Sequence, residues 1–366
     1  WRTTPPTERA KYIYQFKNLM EEHFEEVARL VTIEHGKTLA EGRGDVRRGI
    51  DNLDVAMGIP SLMQGEASED VGRGIDCHAV RQPMGVFAGI TPFNFPAMVP
   101  LWFVPYAIAT GNTYVLKPSE QVPLTQMRMF ELWHEAGLPK GVLNMVHGAH
   151  DIVNGICDHP DIVGVSFVGS SPVAKHVYER STKNGKRAQA LGGAKNYIVV
   201  MPDAELEGTT KTLVDSCYGC AGERCLAGAT LVLVGEAYDK FKGPILEAAK
   251  SIKVGNGLDE GVVMGPVISA RHKEKVVGYI EQGIKEGAEL LLDGRPEFES
   301  SDGYFVGPTV FDNVTPEMVI GSEEIFGPVL CLIRSETLDD AIEIIENHEL
   351  ANTTSIFTSS GKSARE

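Results

Sequence analysis

The sequence predicts an α/β fold. A doubly wound, Rossmann-type domain is expected over residues 1–192 and a second α/β domain over residues 193–366, C-terminally incomplete. Three observations carry that expectation. The chain has 366 residues, enough for two separate cores. Its composition, 43% hydrophobic and 23% charged, is that of an ordinary globular chain and not of a disordered one. From residue 85 onward, short apolar runs alternate with helix-type segments, as in a parallel sheet covered on both faces.

The elements follow in order. Ile13, Phe16, Met20, Phe24, Val27, Leu30 and Val31 keep a three-four spacing and predict one helix over 5–35, opened by Pro5-Pro6 and stopped by Gly36. A second helix is expected over 38–57. Residues 64–84 turn polar, and Cys77 to Arg81 alternates like an exposed strand, so a hairpin reaching toward another subunit is expected there. Strands are then expected at 86–90, 112–116, 142–146 and 162–168, with helices at 96–110, 123–135, 151–157 and 172–182. Gly192-Gly193 marks the domain boundary. Beyond it come strands at 197–201 and 230–234 and helices at 206–218, 238–251 and 271–286. The chain opens on Trp1 and closes on Ser363 to Glu366, which reads as the start of a helix; it is expected to be part of a longer protein.

Charge and cysteine content exclude several roles. A net charge of −16 repels phosphate backbones and argues against a nucleic-acid partner. The most apolar stretch, Met98 to Thr110, is short and broken by Pro100 and Pro105, so no membrane span is expected. Six cysteines are too few for a disulfide scaffold, and no signal peptide is expected; the cytoplasm is the expected compartment, with a mitochondrial matrix left open. Cys217-x-x-Cys220 is half of a zinc motif, but no second pair follows, and no metal is expected.

Four distant segments carry chemistry. Ala221-Gly222-Glu223-Arg224-Cys225 places one cysteine among small residues beside an arginine expected to favour its thiolate. Taken alone, such a cysteine reads better as a buried structural one. Thr91-Pro92-Phe93-Asn94-Phe95-Pro96 holds an amide in a turn stiffened by two prolines, suited to an alkoxide, although it also reads as a simple turn asparagine. Val165 to Pro172 gives a strand, a Gly169-Ser170 turn and a helix start, where backbone N–H groups can meet a pyrophosphate. The G-x-G-x-x-G fingerprint is absent. Lys117-Pro118-Ser119-Glu120 ends a strand at the sheet edge where nucleotides bind.

Together with Glu323-Glu324-Ile325-Phe326-Gly327-Pro328, these segments resemble the aldehyde dehydrogenase superfamily over nearly the whole chain. The resemblance implies a Cys225 thioester, an oxyanion hole made by the Asn94 amide and the Cys225 N–H, and an NAD site. In that site Lys117 and Glu120 meet the adenosine ribose, Glu324 the nicotinamide ribose and Phe326 the nicotinamide, with Gly169, Ser170 and Phe93 completing the set. An acidic ribose contact disfavours a 2′-phosphate, so NAD is preferred to NADP. The family's second glycine after Gly169 is Ala174 here.

One departure is informative. Hydrolytic members carry Glu-Leu-Gly-Gly, where this chain has Ala190-Leu191-Gly192-Gly193. Without a general base the thioester should hydrolyse slowly, and the thiol of coenzyme A becomes the expected acyl acceptor. Gly193-Ala194-Lys195-Asn196 resembles the family's CoA-acylating methylmalonate-semialdehyde branch. That branch implies decarboxylating oxidation of malonate or methylmalonate semialdehyde to acetyl-CoA or propionyl-CoA in valine or inositol catabolism, by a homodimer or homotetramer. Arg224 and Arg48 suit a substrate carboxylate, although Arg47-Arg48 also reads as an exposed helix face. The alternatives are a hydrolytic aldehyde dehydrogenase acting on another aldehyde and a non-catalytic protein that keeps the fold for binding.

Overall fold

The computed structural model describes residues 1–350 and 352–366. They divide into two compact units: Trp1–Glu34 with Gly42–Gly192, and His35–Glu41 with Gly193–Glu366.

The first unit is built on a five-stranded parallel sheet. Its strands β3 (Val86–Ile90), β4 (Thr113–Lys117), β5 (Leu143–Met145), β6 (Ile162–Val168) and β7 (Arg187–Leu191) run in the order β5-β4-β3-β6-β7. The chain therefore leaves β3 toward one edge and later returns past it toward the other. Helices Ala149-flanked His150–Asp158 and Ser171–Lys183 cover one face, packing Val153, Ile156, Ala174 and Val177 onto Ala88, Ile90, Val165 and Phe167. On the other side Phe16 of helix Pro6–Glu22 stacks on Trp133 of helix Pro123–Glu135, with ring centroids 3.8 Å apart.

Two expected long helices are each broken. The 5–35 segment is two helices, Pro6–Glu22 and Phe24–His35, separated at His23. The 96–110 segment is Met98–Leu101 and Val104–Ala109. Pro105 has no N–H and its ring excludes a helical carbonyl four residues back, so the helix must restart just before it. Residues 64–84 contain an antiparallel hairpin, β1 (Glu66–Gly72) with β2 (Ile75–Ala79), turned at Gly74 with φ +72° and almost wholly exposed. The second strand lies two residues earlier than the alternation suggested.

The second unit holds a six-stranded sheet. Strands β8 (Tyr197–Val200), β9 (Thr230–Val234), β10 (Glu289–Leu292), β11 (Thr309–Asp312), β12 (Val329–Ser335) and β13 (Thr354–Phe357) run in the order β10-β11-β12-β9-β8-β13, antiparallel only at β10. Leu231 and Leu233 pack on helices Leu206–Tyr218 and Ala237–Lys250, while Val232 and Val234 join the opposite core with helix Ala270–Glu286. Both faces are covered, so this strand reads as a continuous apolar run. The closing residues, expected to begin a helix, form a turn.

Candidate active site

In the first unit, the expected cofactor residues converge on the carboxyl ends of three adjacent strands. β3 runs into the Thr91–Pro96 turn, β4 into Lys117–Glu120 and β6 into Gly169-Ser170. The order reverses at β3 and β6, the place where open parallel sheets bind nucleotides. Asn94 is buried in its turn. The Thr91 N–H donates to the Lys117 carbonyl at 3.1 Å, which ties the asparagine turn to the end of β4. The Lys117 ammonium, on a buried stem, donates to Glu120 at 3.0 Å. Burial pushes the Glu120 carboxyl up, but its own amide and Lys117 outweigh this and hold it below the ordinary range.

The first turn of helix Ser171–Lys183 is well formed for an anion. Ser170 makes no side-chain cap, and the positive end of the helix dipole faces the Gly169-Ser170 loop. A Cβ at Gly169 would come within 2.6 Å of the Phe167 ring, and one at Gly192 within 3.1 Å of the Ser171 hydroxyl oxygen. Both glycines keep backbone close to this turn, so the residues present fit a dinucleotide pyrophosphate. Arg48 is exposed, whereas its neighbour Arg47 is held by Glu21 through two bonds of 2.7 and 2.8 Å. Arg48 is thus the better of the two for a ligand.

In the second unit, the nucleophile loop is shaped by unusual backbone. Helix Leu206–Tyr218 gives way to one tight turn, Gly219–Gly222, in which Cys220 (φ 50°) and Ala221 (φ 53°) are left-handed. Gly222 follows at φ +75°, and a Cβ there would overlap the Gly327 carbonyl, so only glycine serves. Non-glycine residues in this region are strained, and such strain gathers at functional loops. Asn196 pins the far side: its Nδ2 donates to the carbonyls of Cys225 (2.8 Å) and Ala227 (3.0 Å), and Asn352 adds a bond of 3.3 Å to the Cys225 carbonyl. Cys225 is half-buried; Cys217 and Cys220 are fully buried. Among the described residues, no group of three or more His, Cys, Asp or Glu side chains is placed to hold a metal.

The expectation that Arg224 lowers the Cys225 thiol is corrected. Burial pushes that thiol up, its own amide opposes this, the Glu324 carboxylate adds to it, and the Leu226 amide opposes again; the net direction is upward. Arg224 instead donates from Nε to the Cys220 sulfur (3.4 Å) and from Nη2 to Glu41 (3.1 Å). A pH profile checks this. Alkylation of Cys225 by iodoacetamide in the cofactor-free protein is expected to keep rising through the ordinary thiol range, about pH 8.5, because the thiolate is the reactive form. A plateau reached near neutrality would overturn the upward shift.

The two adjacent glutamates separate cleanly. Glu323 accepts from the Tyr279 hydroxyl at 2.7 Å, while Glu324 is half-buried and accepts from the Ala194 N–H at 3.1 Å. Burial raises the Glu324 carboxyl. Phe326 is left-handed at φ 59°, and His272 Nε2 lies 2.7 Å from its carbonyl.

Sequence reasoning missed the support beneath the loop. Glu223 is fully buried; one of its oxygens accepts from the Ile268 N–H at 3.1 Å, and His35 and His272 each lie 3.5 Å from its carboxyl. Burial pushes this carboxyl well up and both imidazoles down, favouring neutral forms of all three. Glu41, in the first turn of helix Leu39–Met57, was also missed. No local pattern marks Glu223; Thr38-x-x-Glu41 is a capping box that marks a helix start but does not reveal the distant partners Cys220 and Arg224. No helix among the described residues is long and apolar enough to cross a membrane.

The profile of the Aldehyde dehydrogenase family matches residues 1–366. The chain is 52% identical over 365 residues to a malonate-semialdehyde dehydrogenase of Halalkalibacterium halodurans, covering 100% of this chain and 75% of the relative. It is 51% identical to malonate-semialdehyde dehydrogenase 2 of Geobacillus kaustophilus, covering 100% and 76%. Among solved structures, a methylmalonate-semialdehyde dehydrogenase from Oceanimonas doudoroffii superposes with a TM-score of 0.97 at 47% identity, covering 100% of this chain and 75% of that one. A Sinorhizobium meliloti structure, described as a methylmalonate-semialdehyde dehydrogenase complexed with NAD, gives 0.96 at 43% identity with the same coverage. The chain belongs to the aldehyde dehydrogenase family.

Proposed function

We propose that this family member is a CoA-acylating, NAD-dependent dehydrogenase of malonate and methylmalonate semialdehydes. The observation that carries the reading is the nucleophile loop, with half-buried Cys225 pinned at its carbonyl and Arg224 held beside it. Relatives that match the whole chain are named for these substrates.

The roles follow from the residues. Cys225, as thiolate, adds to the aldehyde carbonyl. The Asn94 amide and the Cys225 N–H stabilise the alkoxide. Arg224, with Arg48, receives the carboxylate of the substrate through a planar fork. Lys117 and Glu120 hold the adenosine ribose, the Gly169-Ser170 turn the pyrophosphate, Glu324 the nicotinamide ribose, and Phe93 and Phe326 flank the cofactor. NAD, when bound, supplies the hydride acceptor. The Cys225 thioester then carries a carboxylate β to its carbonyl; this is lost as carbon dioxide, its electron pair passes to the thioester enolate, and the α-carbon takes a proton from water, after which coenzyme A, as thiolate, displaces the Cys225 thiolate.

The protein acts on small molecules and not on nucleic acid, in keeping with its net charge of −16. The hairpin β1–β2, with exposed Val71 and Ile75, is the assigned contact to a second copy in a homodimer or homotetramer, and the compartment is the cytoplasm. The test is NAD reduction with malonate semialdehyde against propanal, a neutral aldehyde of equal length. The acid is expected to be favoured in kcat/KM by at least about 10-fold, the value of one charge-assisted contact. Equal values for the two would remove the carboxylate from the reading, and a preference for NADP would remove the ribose assignment.

A further inference from the structure

We propose that Glu41 is the positioning residue that sets Arg224 for the substrate carboxylate; this rests on the assignment of Arg224 to that carboxylate. Glu41 and Arg224 are 183 positions apart in sequence, yet they meet. One Glu41 oxygen accepts the Cys220 N–H at 2.5 Å and Arg224 Nη2 at 3.1 Å. The other accepts the Thr38 N–H at 2.9 Å and the Thr38 hydroxyl at 3.0 Å. Four donors fill the four acceptor sites of one carboxylate. Its side chain is 14% exposed and that of Arg224 31%, so the acceptor is sheltered while the guanidinium reaches solvent.

Two consequences follow. The Cys220 N–H is held although its backbone is left-handed, so a charge-assisted bond offsets strain in the loop that ends at Cys225. Arg224 is also fixed along one edge, by Glu41 at Nη2 and the Cys220 sulfur at Nε. The remaining N–H groups of its five are left for a ligand. Without Glu41 the guanidinium keeps only a weak sulfur acceptor and must be ordered by the substrate itself. Glu41 also repels an incoming anion, but Arg224 lies against it and largely offsets that charge. The orienting effect should win.

The test compares acid and neutral substrates in the full chain at saturating NAD and coenzyme A. In Glu41→Gln, kcat/KM for malonate semialdehyde is expected to fall about 10- to 100-fold, as for a lost bond to a charged group, while propanal changes by less than about threefold. Glu41→Asp, which keeps the charge, should recover part of the ratio. An equal loss for both substrates would make Glu41 a structural prop, and a rise in the acid-to-neutral ratio would make it a repulsive group; either overturns the proposal. Arg224→Gln is measured in parallel. If it leaves the ratio untouched, the assignment of Arg224 fails and the proposal with it. If it collapses the ratio while Glu41→Gln does not, only the role of Glu41 fails. Should Glu41→Gln not fold, Thr38→Val removes one donor to the carboxylate; a smaller drop in the same ratio supports the proposal and an unchanged ratio overturns it.

Discussion

Cys225→Ala abolishes aldehyde-dependent NAD reduction, by at least about 10⁴-fold, the scale of losing a covalent nucleophile. No other thiol is placed to substitute. Cys157, Cys217, Cys220 and Cys331 are buried, and burial pushes each of their thiols up. Cys77 is exposed, but it lies on β2 of the peripheral hairpin. Only Cys225 combines partial exposure with a loop whose carbonyls are fixed by Asn196. NAD binding, measured by calorimetry, should survive the substitution, because the residues assigned to the ribose and pyrophosphate are untouched. Retention of more than a few percent of the rate would sink the covalent route. Loss of NAD binding along with the rate would mean that the alanine had collapsed the loop, and Cys225→Ser would then have to decide.

The parallel sheet was legible because burial on both faces writes each strand as an apolar run, and β3 and β6 were found at the residues where they lie. β7 escaped because it is an edge strand of mixed polarity, Arg187–Leu191, with alternating exposure. Of the candidate site, local geometry was legible where partners are close in sequence, as in the Lys117–Glu120 pair three residues apart. It was illegible where one polar group is satisfied by a distant one. Glu223 held by the Ile268 amide and Glu41 held by Cys220 and Arg224 need the fold before either partner can be named. The Arg224 expectation failed for the same reason: adjacency in sequence says nothing about where a guanidinium turns. Its partners come from residues 41 and 220.

Ala190 predicts the second large effect. It lies on β7, paired with Phe167, and its methyl group can take no proton from water. Without coenzyme A, the enzyme should release about one equivalent of NADH per Cys225 and then nearly stop, with its thioester intact. Adding coenzyme A should raise steady turnover by about 10²–10⁴-fold, the contribution a missing general base would otherwise make. Ala190→Glu should raise the CoA-independent rate. Glu324 is the rival base: burial raises its carboxyl, and its charge already acts on Cys225. It is, however, engaged by the Ala194 N–H at 3.1 Å, which stabilises the carboxylate in place rather than freeing it toward water. Fast steady turnover without coenzyme A would therefore overturn the acylating assignment. If Glu324→Gln then abolished that turnover while a rapid-quench measurement still showed thioester formation, the base would be Glu324 and the enzyme hydrolytic.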